Sequence, residues 1–221
     1  MIIAIDGPAG SGKSTVANIL ARRLKFCYIE TGSMYRAVAW KAMGLNIDLK
    51  DIDAVAKVAE DIDMTFSPQP DGQKVMIDNV DCTASLKTET IGRGAAIVAA
   101  NPRVREIMTA KQREMGKVGN AVMDGRDIGT VVFPDAETKI FLVADAEERA
   151  KRRFKEMKLE TPDLNLDKVI EQVKQRDHED ENRKISPLKP AEDAVKIDTT
   201  HMKIEEVVDK IMQLIQSAET Q

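Results

Sequence analysis

Gly7-Pro8-Ala9-Gly10-Ser11-Gly12-Lys13-Ser14 fits the pattern G-x-x-x-x-G-K-[ST], and Thr15 follows it. Glycines let successive backbone N–H groups turn inward and form a nest for an anion. The helix expected from Lys13 onward aims its positive dipole end at the same anion. Lys13 adds a mobile charge near the β- and γ-phosphates, and the Ser14 hydroxyl is a ligand for Mg2+. The motif follows a short apolar run and opens a helix, which is the context its chemistry requires. A glycine-rich turn capping an ordinary helix is the competing reading. A nucleoside triphosphate with Mg2+ is the first inference.

The phosphate loop leaves the acceptor open. A GTPase would carry an Asn-Lys-x-Asp guanine reader, and an ABC-type ATPase a Leu-Ser-Gly-Gly signature; the chain contains neither. It has arginines beside loops instead. Arg36 follows Thr31-Gly32-Ser33-Met34-Tyr35, Arg103 and Arg105 flank Val104, and Arg126 lies in Asp124-Gly125-Arg126-Asp127. Arg176 and Arg183 bracket an acidic cluster. A guanidinium is a natural fork for phosphate. One such residue is commonly just solvated, but several in a chain with a phosphate loop point to a second phosphate. Asp124 ends an apolar run close to where Mg2+ would sit, so it either holds a metal-bound water or caps a loop.

Short strands alternating with helices must position these groups. Ile2 to Ile5, Phe26 to Ile29, Ala121 to Met123, Lys139 to Ala144 and Val195 to Asp198 read as buried strands. Helical spacing is expected over 13–25, 33–43, 51–62, 88–100, 103–116, 147–158, 166–179 and 204–215, with Pro102 at a first helical position. Between 64 and 83 the texture changes. Pro-rich residues, the Asp71-Gly72 turn signal and the run Val75-Met76-Ile77 predict a small antiparallel insert. Residues 182–190 read as loop. The alternation indicates an α/β protein of the P-loop NTPase type, three layers with a parallel sheet flanked by helices.

Composition narrows the class. Of 221 residues, 43% are hydrophobic, enough for a packed core and against a disordered chain. Basic residues number 33 and acidic residues 37, and the net charge of -4 disfavours non-specific binding to nucleic acid. Cys27 and Cys82 form no C-x-x-C pair, so two free thiols in a reducing compartment are expected. No apolar run is long enough to span a bilayer, and Asp6 interrupts the first one. A cytoplasmic protein without membrane contact is the expectation.

Five segments together carry a family resemblance. They are Gly7 to Thr15, Thr31 to Arg36, Asn101-Pro102-Arg103-Val104-Arg105, Asp124 to Ala136, and Arg176-Asp177-His178-Glu179-Asp180-Glu181-Asn182-Arg183. Over Ile2 to about Ile215 the chain closely resembles the bacterial cytidylate kinases. The phosphate loop is generic to P-loop kinases; the Thr-Gly-Ser-Met-Tyr-Arg and Asp-Gly-Arg-Asp-Ile-Gly-Thr-Val-Val-Phe-Pro-Asp segments are far more specific. The resemblance implies a single kinase domain with its core at about 1–30, 101–153 and 190–221. It also implies a monophosphate-binding part at about 31–100, enlarged by the insert at 64–83, and a lid at about 154–189.

It further implies ATP as donor, CMP or dCMP as acceptor, Mg2+ as cofactor and a monomer. Arg36 and Arg126 would hold the CMP phosphate, with Lys13 between donor and acceptor. Thr31, Arg105 and Asp127 would read the cytosine, and Arg176 and Asp180 would contact the sugar. Arg183 would reach the transferring phosphoryl group from the lid. By similarity to nucleoside monophosphate kinases, Arg149 would stack on adenine and Arg153 reach the phosphates. A salt-bridged helix surface, with Glu147 and Glu148 nearby, is an equal alternative for that pair. Ala96 stands where the family often has a serine able to bond the sugar; lacking a hydroxyl, it leaves the ribose-against-deoxyribose preference open. His178 and His201 read as surface residues. Two other readings stand: a P-loop kinase for another small molecule or nucleotide, and a nucleotide-binding regulatory module without turnover.

Overall fold

A computed structural model describes residues 1–69, 72–158 and 164–219. The expected turn at Asp71-Gly72 therefore falls partly outside the described residues, as do 159–163 of the expected lid. Five parallel strands form the main sheet: β1 (Ile2–Asp6), β2 (Cys27–Glu30), β6 (Ala121–Gly125), β7 (Thr138–Val143) and β8 (Val195–Asp198), in the order β2-β6-β1-β7-β8. Apolar residues along β1, β6 and β7 bury both faces, as a parallel sheet sandwiched between helices requires. One face packs Ile3, Ile5, Val122 and Leu142 against α1 (Lys13–Leu24) and α8 (Ile204–Glu219). The other packs Ala4, Ile29 and Met123 against Ile128 and Val132.

A second apolar cluster lies beside the sheet. Met34 and Val38 of α2 (Thr31–Gly44), Val55 of α3 (Ile52–Asp61), and Val98 of α4 (Glu89–Ala100) meet Val104 and Met108 of α5 (Pro102–Gly116). Over this cluster sits the insert, an antiparallel sheet of β3 (Met64–Gln69), β4 (Gly72–Ile77) and β5 (Val80–Asp81). Alternation along β4 buries Gln73, Val75 and Ile77. Asn101 caps α5, its side chain accepting from the Arg103 and Val104 amides, so the helix begins at Pro102. A small cluster of Ala150, Val169 and Val173 joins α6 (Ala146–Lys158) to α7 (Leu166–Glu181). The segment after β6 is not the plain loop expected there. Ile128–Val132 forms a π-helical turn, with Val132 N–H donating to Asp127 O at 3.2 Å and Phe133 N–H to Ile128 O at 2.7 Å.

Sheet register decides what meets at the functional end. Glu30 of β2 lies opposite Asp124 of β6, and Asp6 of β1 opposite Gly125. Glu30, Asp124 and Asp6 thus gather at the carboxyl ends of the neighbouring strands β2, β6 and β1, outside which ligands bind in open α/β sheets.

Candidate active site

The phosphate loop leaves β1 and enters α1. Gly7 sits at φ 148°, and a Cβ there would lie 2.1 Å from the Leu142 carbonyl oxygen, so the position takes no side chain. Lys13 is buried and donates to the Pro8 carbonyl oxygen at 2.7 Å. Burial first, and then the Arg126 charge, push its ammonium well below the usual lysine range, against the pull of Asp124, Asp6 and Asp180. A buried cation with so little compensation is a receptor for added negative charge.

Asp124 carries the opposite problem. Ser14 Oγ donates to its Oδ2 at 2.8 Å and Tyr28 Oη to its Oδ1 at 3.0 Å. Burial and the neighbouring Glu30 still push the carboxyl up to about 6. Its folded value lies above the unfolded one of about 4. The associated stabilisation is therefore complete below about pH 4 and is lost as the pH rises through about 6. Asp124→Asn should leave the nucleotide-free protein at least as stable as the parent at about pH 7. It should also flatten part of the parent's gain on acidification. Urea midpoints across that range check this; a large loss at neutral pH would contradict it.

Toward the other end of the cleft, Thr31 Oγ1 donates to Asp124 O at 2.7 Å, which ties the start of α2 to β6. Asp127 and Arg105 are both buried and pair at 2.5 Å. Arg105 also donates to Ala99 O at 3.2 Å and lies 5.4 Å over the Tyr35 ring. Its Nε has no hydrogen-bond partner among the described residues. Burial lowers the Arg105 value, but Tyr35 and Asp127 outweigh it and leave a net rise. Burial is also what pushes the Tyr35 hydroxyl up to about 12. A carboxylate and a guanidinium with spare hydrogen-bonding capacity can together read a planar heterocycle carrying both a donor and acceptors.

Between these ends the arginines converge. Burial first, then Arg126, Arg153 and Arg36, bring Arg176 down to about 10, offset in part by Asp180. Such crowding of like charge costs stability unless an anion fills it. Carboxylates stand in for part of that anion. Arg36 donates to Glu30 at 3.3 Å, Arg126 Nε to Asp180 at 3.0 Å, and Arg153 to Glu89 at 2.7 Å. Arg183 lies 3.6 Å from Asp180. Burial would raise Asp180, but Arg126, Arg183 and Arg176 outweigh it and hold the carboxyl below its usual range.

The pair Arg149 and Arg153 divides. Arg149 is buried, forks onto Asp177 of α7 at 2.9 and 2.5 Å, and donates to Ala144 O and Ala9 O at 2.8 and 3.1 Å. Its in-plane donors brace the phosphate loop, and its partner is Asp177, not Glu147 or Glu148. Arg153 reaches across to Glu89 of α4. Ala96 is half-buried on α4. The sequence reading missed Asp6, Tyr28, Glu30, Tyr35 and Asp177. Register and tertiary pairing bring these to the site; Tyr35 and Asp177 lie within segments that carry the family resemblance, but nothing local to them announces Arg105 or Arg149 as partner.

A phosphate loop, a carboxylate at the end of the adjacent strand and a converging ring of arginines, on this sheet, define a P-loop kinase. The chain belongs to the cytidylate kinase family, whose model matches residues 3–217. It is 46% identical over 214 residues to the cytidylate kinase of Bacillus subtilis (strain 168), covering 97% of this chain and 96% of that one. It is 47% identical over 215 residues to that of Carboxydothermus hydrogenoformans, covering 97% of each. In fold alone it is similar to a shikimate kinase from Bacteroides thetaiotaomicron, with a TM-score of 0.51 and 12% identity over 98% of each chain.

Proposed function

We propose that the protein transfers the γ-phosphoryl group of ATP to CMP or dCMP, giving ADP and CDP or dCDP. The observation that carries this is the buried Arg105–Asp127 pair set beside arginines that crowd one another around the space near Lys13. Cytosine has a donor amino group at C4 and acceptors at N3 and O2. A carboxylate accepts from that amino group, and a guanidinium or the Thr31 hydroxyl can serve the acceptors. Uracil turns an acceptor toward the carboxylate, leaving two lone-pair groups face to face in a buried site.

The backbone nest of residues 7–15 would hold the donor phosphates, with Arg153 reaching them and Arg149 bracing the loop. Arg36 and Arg126 would hold the acceptor phosphate, and Arg176 with Asp180 would lie along the sugar. To do so, Arg36, Arg126 and Arg153 exchange Glu30, Asp180 and Glu89 for phosphate oxygens. An oxygen of the CMP phosphate attacks in line, and the β–γ bridging oxygen leaves with ADP. The attacking oxygen is largely deprotonated near neutral pH, so no general base is needed. Lys13, Arg126 and Arg183 balance the charge of the two nucleotides as they meet.

Mg2+ fits this donor set. Ser14 and Asp124 are hard oxygen donors, and a buried carboxylate raised by its acidic neighbour gains from a cation. No group of three or more His, Cys, Asp or Glu able to cage a metal exists among the described residues. That suits an ion held by one or two protein oxygens together with nucleotide phosphates. When bound, it would neutralise phosphate charge. Closure of 31–100 and 154–189 over the core would exclude water, the competing acceptor. No described helix is long and apolar enough to cross a membrane.

Steady-state rates with CMP, dCMP, UMP and AMP test the proposal: CMP and dCMP should lead, and faster turnover of UMP or AMP would sink it. Asp127→Ala should cut the CMP preference over UMP by about tenfold or more, the range expected for an unpaired buried polar group. An unaltered ratio would remove Asp127 from base reading.

A further inference from the structure

Asp6 ends β1, one residue before the phosphate loop, and is only 5% exposed. Its two oxygens do one job each. Oδ1 accepts the Ile128 N–H at 2.9 Å, and Oδ2 accepts the Gly129 N–H at 2.8 Å. These amides lie in the first turn of the π-helical segment, where no partner exists within the turn itself. Asp127 immediately precedes them, with φ -148° and ψ 23°, a conformation of neither helix nor strand. The peptide that Asp6 grips is thus the one that sets where the Asp127 carboxylate points. Burial pushes Asp6 up to about 6, and its Ile128 and Gly129 hydrogen bonds, with the Lys13 charge, pull against that while Asp127 adds to it.

We propose that Asp6 is a positioning residue for base selection. It clamps the two amides that orient Asp127, and so ties the strand feeding the donor's phosphate loop to the group that faces the acceptor's base. The role rests on the reading of Asp127 as the partner of the cytosine amino group. An asparagine at position 6 would keep one acceptor and turn an NH2 donor toward the other amide. Two donors would then face each other, and the turn would shift.

Kinetics of the full chain with CMP and UMP test this for Asp6→Asn, Asp127→Ala and the double variant. Asp6→Asn should lower the ratio of kcat/KM for CMP to that for UMP by about tenfold or more. It should add little on the Asp127→Ala background, because both act on one contact. Equal losses for CMP and UMP, with the ratio kept, would reduce Asp6 to a structural cap and overturn the proposal. If Asp127→Ala itself leaves the ratio intact, base reading by Asp127 fails, and this role fails with it. If instead Asp127→Ala shifts the ratio and Asp6→Asn does not, only the Asp6 role is lost. Should Asp6→Asn not fold, amide hydrogen exchange in the unaltered protein decides. Ile128 and Gly129 should be strongly protected, and slowed further by CMP but not by UMP. Fast exchange, or equal slowing by both nucleotides, would overturn the role.

Discussion

Arg126→Ala is expected to lower kcat by about a thousandfold while the protein remains folded. Arginines that stabilise the charge of a transferring phosphoryl group contribute effects of about 10³ or more. By the proposed function, Arg126 belongs to that class. It follows β6 directly, its charge is felt by both Lys13 and Arg176, and Asp180 alone carries its ion pair among the described contacts. The fold should tolerate the loss for the same reasons. Removing the guanidinium relieves Lys13 and Arg176 of a repelling neighbour, and Asp180 retains Arg183 at 3.6 Å. The pair that is lost joins a part-exposed guanidinium to a buried carboxylate, so its loss costs some stability, which Arg183 offsets in part. Arg126→Lys should fall between the two, since it keeps the charge and loses the fork. Turnover within about tenfold of the parent would place Arg126 outside the transfer step.

The sequence disclosed what is local and withheld what is assembled. The phosphate loop is legible because eight adjacent residues carry the whole mechanism, and the strand and helix around it repeat with clear periods. Asn101 and Pro102 mark the start of α5 by capping chemistry alone. The π-turn after Asp127 carries no such mark. Its first amides are satisfied by Asp6, more than 120 residues earlier, so reading 126–136 by itself leaves a loop. Arg149 shows the same limit. Helical spacing places it beside Glu147 and Glu148, yet the fold offers Asp177, 28 residues on, in bidentate geometry. The arginines were visible one by one. Their mutual crowding, which gives them chemical meaning, exists only after β1, β6, α2, α6 and α7 come together. Glu30 and Asp124 meet by sheet register, and no pattern within either segment announces the repulsion that raises Asp124.

Lys13→Met should separate activity from stability more sharply than any other change. Turnover should fall by about a thousandfold or more, because the charge proposed to lie between donor and acceptor disappears. The nucleotide-free protein should be no less stable than the parent, and somewhat more stable near neutral pH. A lysine whose value burial and Arg126 push well below the ordinary range sits, when charged, in a place less favourable than water. Methionine fills nearly the same volume without that charge. The hydrogen bond to the Pro8 carbonyl, about 1 kcal/mol, and the attraction of Asp124, Asp6 and Asp180 are given up, against relief from burial and from Arg126. Thermal midpoints should therefore rise or hold while the rate collapses. The midpoint gain that ATP gives the parent should shrink in the variant, because less of the binding energy survives to be linked to folding. A midpoint several degrees lower would mean that Lys13 is held by compensation stronger than its neighbours provide. A preserved rate would mean that the arginines alone suffice to bring the two nucleotides together.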